Sequence, residues 1–186
     1  MKNFNFNIEK ATQTAAYLLK LNGGAMNYTI LLKMLYLADR ASFDLYGKPI
    51  IGDMYCAMKY GPVLSTVLDL MTDPVDEKNK CYWYEFLKTD NYNLILQNDP
   101  TDEELSEREE DILNEIYETH KKDNLWQIVD YCHKFLPEWY NTYEGYGSPE
   151  ITTKLILHEL GKSSEQMEFL KNSHQSSKLA HSIFIK

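Results

Sequence analysis

Between Leu31 and Leu45 the residues Leu31, Met34, Leu35, Ala38, Ser42 and Leu45 recur three and four apart, and the run stops at Gly47-Lys48-Pro49. That spacing puts one stripe on a single helix face. The glycine supplies a left-handed cap and the proline cannot continue the helix. This is the most strongly specified element of the chain, and it sets the expectation of a mainly helical fold.

The flanking segments follow the same logic. Ile8, Ala11, Ala15, Leu18 and Leu19 predict a first helix over Asn7 to Leu21, ended by Asn22-Gly23-Gly24. Ile50 to Met58 reads as short and extended. Gly61-Pro62 then predicts a third helix to Met71, with Pro62 in the first turn where an amide has no partner. From Cys81 to Gln97 the period becomes two, with Tyr82, Tyr84 and Phe86 alternating with Trp83, Glu85 and Leu87, so a β-hairpin is expected over 81–97. Ser106 stands three residues before Glu109, the spacing of a capping box, and predicts a helix from Glu107 to Lys121. Further helices are expected over Leu125 to Phe135, Ile151 to Leu160 and Ser163 to Lys171, with an ordered loop from Tyr140 to Ser148. Asn172 to Lys186 is expected to be flexible or ordered by a partner.

A chain of 186 residues that is 44% hydrophobic and 25% charged suits one domain with one core. Twenty-eight acidic against nineteen basic residues give a formal charge of −9, which repels nucleic-acid backbones and could steer a basic protein partner. Cys56, Cys81 and Cys132 are odd in number and widely spaced, the pattern of a reducing compartment. The first ten residues lack the apolar stretch of a secretion signal, and no run approaches membrane-spanning length. The expectation is a cytoplasmic protein bound to neither membrane nor nucleic acid.

Candidate chemistry is sparse. Cys132 and His133 are adjacent, whereas zinc ligands usually stand two to four residues apart, so no metal is expected. A Cys132 nucleophile with His120 as base lacks a Gly-rich elbow or an oxyanion loop. The glycines have no phosphate-loop spacing. No cofactor is expected. The carboxylates from Asp99 to Asp111 sit at a predicted helix start, where negative charge meets the positive end of the helix dipole. Two other groups stay open. Asp39 and Arg40 either lie on the helix surface or tie into Gly52-Asp53 and Tyr60-Gly61-Pro62 as a polar network that fixes a binding surface. Trp126, His133, Pro137 and Trp139 are either core or interface anchors.

In order and spacing, several stretches together resemble the Panacea domain family. They are Leu32 to Arg40, Tyr46-Gly47-Lys48-Pro49-Ile50 with Gly52-Asp53, Tyr60-Gly61-Pro62-Val63, Leu105-Ser106 with Glu109, and His133 to Trp139 with Pro137. Coverage runs from about Ile8 to about His158. The resemblance implies a compact multi-helix domain over 1–160 that includes the hairpin 81–97, with 161–186 a C-terminal helix and tail of the same domain. It also implies an antitoxin that neutralises a cognate protein toxin by direct contact and has no catalytic site. One branch of the family delivers its toxin to an energy-dependent protease, so a proteolytic adaptor is the alternative. A hydrolase using His133 with Glu138 is a third. Relatives often carry a further module, sometimes DNA-binding; here the first helix begins almost at Met1, and none is expected. Asp39, Arg40, Gly52, Asp53, Tyr60, Gly61, Pro62, His133 and Pro137 are expected to hold the fold. Tyr82, Trp83, Tyr84, Trp126 and Trp139 are the candidate partner anchors.

Overall fold

The structure, a computed structural model, describes residues 6–72 and 82–168. The expected tail from Asn172 to Lys186, the end of the helix expected to reach Lys171, and Cys81 at the start of the expected hairpin all lie outside the described residues.

Helix α1 (Ile8–Leu21) is capped by Asn7, whose Oδ1 accepts from the Glu9 and Lys10 amides. A short strand, β1 (Ala25–Asn27), leads into α2 (Tyr28–Tyr46), where Asn27 accepts from Thr29 N–H at 3.0 Å. Every residue from Leu31 to Asp39 is buried, so α2 is the axis around which the other elements pack. It ends at Gly47 in the left-handed conformation, φ 69°, whose N–H donates to the Phe43 carbonyl. The core around α2 draws Leu18 and Leu19 from α1 and Leu113 from α5 (Glu107–His120). Ile128 and Cys132 come from α6 (Leu125–Phe135), and Leu157 comes from α8 (Thr153–Glu159).

Two small antiparallel sheets flank this axis. One has the order β1-β5-β4, with β4 (Leu87–Asp90) and β5 (Asn93–Leu96) joined by a tight turn at Asn91, φ 54°. The other has the order β3-β2-β6, built from β2 (Tyr55–Met58), β3 (Gly61–Leu64) and β6 (Glu150–Ile151).

Three expected elements change. The hairpin starts at Leu87 instead of Cys81, because Tyr82–Phe86 forms a helix, α4. Five aromatic-rich residues fit either period. Here helical geometry brings Trp83 and Leu87 into the core together and sets the Tyr82 and Phe86 rings 4.7 Å apart. Gly61-Pro62 does not open a helix: it begins strand β3, whose register with β2 pairs Met58 with Gly61 and Ala57 with Pro62. β3 is a sheet edge, where proline's missing N–H is tolerated, and α3 starts at Ser65 and runs to Thr72. Finally, Ile151 pairs with Tyr55 in β6, and the helix expected from Ile151 begins two residues later, where Thr152 Oγ1 accepts from Leu155 N–H. A short helix, α7 (Pro137–Tyr140), and helical residues 164–168 complete the described chain.

Candidate functional site

Strands β2 and β3 turn at Lys59-Tyr60, and the elements that carry this hairpin are held by several sets of buried polar groups. Asp39, on α2, is buried and accepts four hydrogen bonds. Its Oδ1 receives the Ile50 and Ile51 amides at 2.9 and 2.8 Å, and its Oδ2 receives the Gly52 amide at 3.1 Å and the Tyr55 hydroxyl at 2.7 Å. Burial pushes its carboxyl up to about 6, against the pull of those donors. Asp53 does the same for the next segment, accepting from Met54 N–H, Thr66 Oγ1 and Val67 N–H and so fixing the start of α3.

Arg40 reaches across to α7. Its Nε donates to Glu138 Oε1 at 2.7 Å, and the Tyr36 hydroxyl donates to the same oxygen at 3.0 Å. Glu138 is fully buried, so the carboxylate that would have partnered His133 in a hydrolase is committed to holding α7 on α2. Lys33 is 1% exposed and its ammonium donates to the Pro62 carbonyl at 2.8 Å. Burial lowers its pKa to about 8. Gly61, at φ +99°, has little room for a side chain: an added Cβ would meet Cys132 Cβ at 3.1 Å and Lys33 Cε at 3.4 Å. Burial pushes the Cys132 thiol up to about 11, the opposite of an activated nucleophile. His120 is engaged elsewhere, its Nδ1 2.7 Å from Asp123 Oδ2. Among the described residues, no group of three or more His, Cys, Asp and Glu could hold a metal ion.

Above these polar groups lies an aromatic layer. The His133 ring stacks on Trp139 at 4.0 Å and 9°, and Trp139 stacks in turn on Tyr143 at 5.5 Å. Trp139 Nε1 donates to the Met58 carbonyl at 2.8 Å, and His133 bonds the Lys59 backbone, so α7 and α6 hold the β2 side of the turn while Lys33 of α2 holds Pro62 on the β3 side. Desolvation lowers the His133 pKa, and its Nε2 is buried without a partner among the described residues. At the turn itself Tyr60, 45% exposed, meets the edge of Trp126, 59% exposed, at 5.7 Å, with the Lys59 ammonium 5.4 Å from the Tyr60 ring.

Asp39, Arg40, Gly52, Asp53, Tyr60, Gly61, Pro62, His133, Trp126 and Trp139 therefore gather around one hairpin, with Pro137 opening α7 beneath it. Tyr82, Trp83 and Tyr84 lie apart on α4. Trp83 is 1% exposed and belongs to the core, while Tyr82 and Tyr84 are half-buried, with Tyr82 OH donating to the Pro100 carbonyl. The three rings therefore do not share one exposed face, because the helical turn places Trp83 in the core. Lys33, Tyr36 and Glu138 also belong to these buried polar sets, and no sequence signal marks them. Glu138 stands 98 residues from Arg40, and no local spacing joins them.

No curated protein and no solved structure matches the chain. Residues 31–140 match the family described as antitoxin SocA-like, Panacea domain, a narrower span than Ile8 to His158 but more than half of the chain. The matched span opens at α2 and closes at α7, so it holds the buried polar groups from Lys33 to Glu138 and both rings at the hairpin tip. The chain belongs to the antitoxin SocA-like, Panacea domain family.

Proposed function

We propose that this protein is the antitoxin of a toxin–antitoxin pair and neutralises a protein toxin by direct contact through the tip of the β2–β3 hairpin. The observation that carries the location is the exposed pair formed by Tyr60, on a turn clamped from below, and Trp126, at the start of α6. Tryptophan and tyrosine are the residues that most often dominate interface energetics. An anchor held in place before binding loses little conformational entropy when the partner arrives. Lys33, His133 and Trp139 provide that restraint through Pro62, Lys59 and Met58. Trp139 acts from beneath the surface, and Tyr82 and Tyr84 lie on a different element.

No turnover is required. A stable complex buries about 1,600 Å² in total, which extends beyond two rings, so neighbouring exposed residues of α6 complete the surface. The formal charge of −9 favours a basic partner.

The test is co-expression with the toxin candidate encoded beside this gene, scored by viable counts and by co-purification. Rescue with a co-purifying complex is expected. Tyr60→Ala combined with Trp126→Ala should abolish both while leaving the far-ultraviolet circular dichroism and the melting transition intact. A double variant that still rescues and still co-purifies sinks the assigned surface. Rescue without any stable complex, together with a shortened toxin half-life, would favour the proteolytic adaptor instead.

A further inference from the structure

Where α2 ends, the surface opens into a cleft of about 650 Å³ lined by Ser42, Tyr46, Lys48, Ser106, Glu107, Arg108 and Glu109. That size lies within the range of small-ligand sites. The last four of these residues are the cap and first turn of α5, a helix of 14 residues, so its positive end faces the cleft. A second, independent feature points to a ligand. Ser42 is 1% exposed and lines the cleft, yet its hydroxyl has no hydrogen-bond partner among the described residues. A buried hydroxyl without a partner is costly, and such groups are usually satisfied.

The charges select the ligand. Lys48 and Arg108 make no ion pair among the described residues, and the Arg108 guanidinium sits over the Tyr46 ring, 5.7 Å from its centre, at the cleft wall. Glu109 is already neutralised, its carboxylate 2.8 Å from the Lys10 ammonium and bonded to the Ser106 amide and hydroxyl. Glu107 remains. Two cations against one carboxylate leave a single positive charge in excess, supplemented by the helix end, which amounts to roughly half a charge. One carboxylate group meets that balance most closely, whereas a doubly charged phosphate ester would leave the cleft with net negative charge. Arginine's planar fork matches a carboxylate, and the Ser42 hydroxyl can donate to it.

We infer that the cleft between the end of α2 and the start of α5 binds a single carboxylate group, carried by a small organic acid or by the C-terminus of a peptide, on Arg108, Lys48, Ser42 and the first amides of α5. This inference is independent of the antitoxin reading.

The experiment is an amide NMR titration of the isotopically labelled full chain at neutral pH and constant ionic strength. The probes are butyrate, N-acetyl-trialanine, its C-terminal amide, and inorganic phosphate. Butyrate or the free peptide acid should shift the Glu107 and Arg108 amides saturably, and the peptide amide should not. A peptide acid binding at least tenfold tighter than butyrate identifies a chain terminus as the ligand, whereas equal affinity identifies a small acid. Lys48→Ala with Arg108→Ala should weaken binding at least tenfold, and Ser42→Ala severalfold, with melting transitions unchanged. The inference is overturned by no saturable shift, by shifts that survive the double variant, by equal binding of the peptide amide, or by tighter binding of phosphate.

Discussion

Two buried charges on α2 give this fold opposite pH signatures. Lys33 releases its proton at about 8 in the folded state, whereas an unfolded lysine holds it to 10.5. Between those values the unfolded chain binds more protons, so the Lys33 contribution makes stability rise with pH; below about 8 both states are protonated and the penalty for burying the charge is constant. Denaturant midpoints measured from pH 7.5 to 10 should therefore climb more steeply in the parent than in Lys33→Met. Parallel curves would mean that Lys33 is not neutralised by folding. Asp39 acts the other way. Its folded carboxyl keeps a proton up to about 6 against 3.8 for the ordinary group, so its contribution is present at low pH and is lost as pH rises through 6. Asp39→Ala is a different perturbation, because it strips the partner from three buried amides and the Tyr55 hydroxyl together. A loss of at least about 3 kcal/mol is expected from chemical denaturation. A loss under about 1 kcal/mol would show that the loop from Ile50 to Tyr55 holds its shape without the carboxylate.

At the scale of elements, what could be read from the sequence depended on how local the determining signal is. α2, α5 and α6 were legible because caps and periodicity lie within the segment: Gly47 ends the first, Glu109 returns to the Ser106 amide in the second, and Pro137 follows the third. α4 was not, since Tyr82 to Phe86 satisfies both periods and the decision rests on Trp83 entering a core built largely by distant residues. β3 is not legible locally, because Gly-Pro is equally compatible with a helix start. What makes it a strand is a neighbour, β2, and a contact, Lys33 to the Pro62 carbonyl, 29 residues away in the chain. The candidate site divides the same way. The Asp39 link to Ile50, Ile51 and Gly52 spans 11 to 13 residues and was open to sequence reading, whereas the Arg40–Glu138 pair was not. The β2–β3 hairpin makes its own prediction. Gly61→Ala adds a left-handed strain and a 3.1 Å contact with Cys132 Cβ, and should cost about 2–3 kcal/mol. Introduced into Cys132→Gly, which removes the contact but not the φ, the same substitution should cost only part of that amount; a cost near zero in that background would show that backbone strain there is negligible.

The molecule as a whole carries nine more acidic than basic side chains, and the excess is unevenly placed. Glu103, Glu104, Glu107, Asp111, Glu115 and Glu118 are all exposed on α5 or the loop before it, while Lys59 stands at the hairpin tip. A field of this kind acts beyond any contact, raising the encounter rate with a basic partner and decaying over a Debye length of about 8 Å at physiological salt. The aromatic pair at the tip acts only after encounter, through burial that salt scarcely changes. If the protein neutralises a basic toxin through that tip, the two contributions separate in kinetics. Raising NaCl from about 50 mM to 500 mM should slow association at least tenfold and leave dissociation within about twofold, because charges outside the contact govern encounter and buried anchors govern escape. Trp126→Ala should reverse the pattern, speeding dissociation and sparing association. Stopped-flow mixing with the purified toxin reads both rates directly. Association indifferent to salt would remove the acidic surface from the recognition mechanism and leave the hairpin tip to act alone.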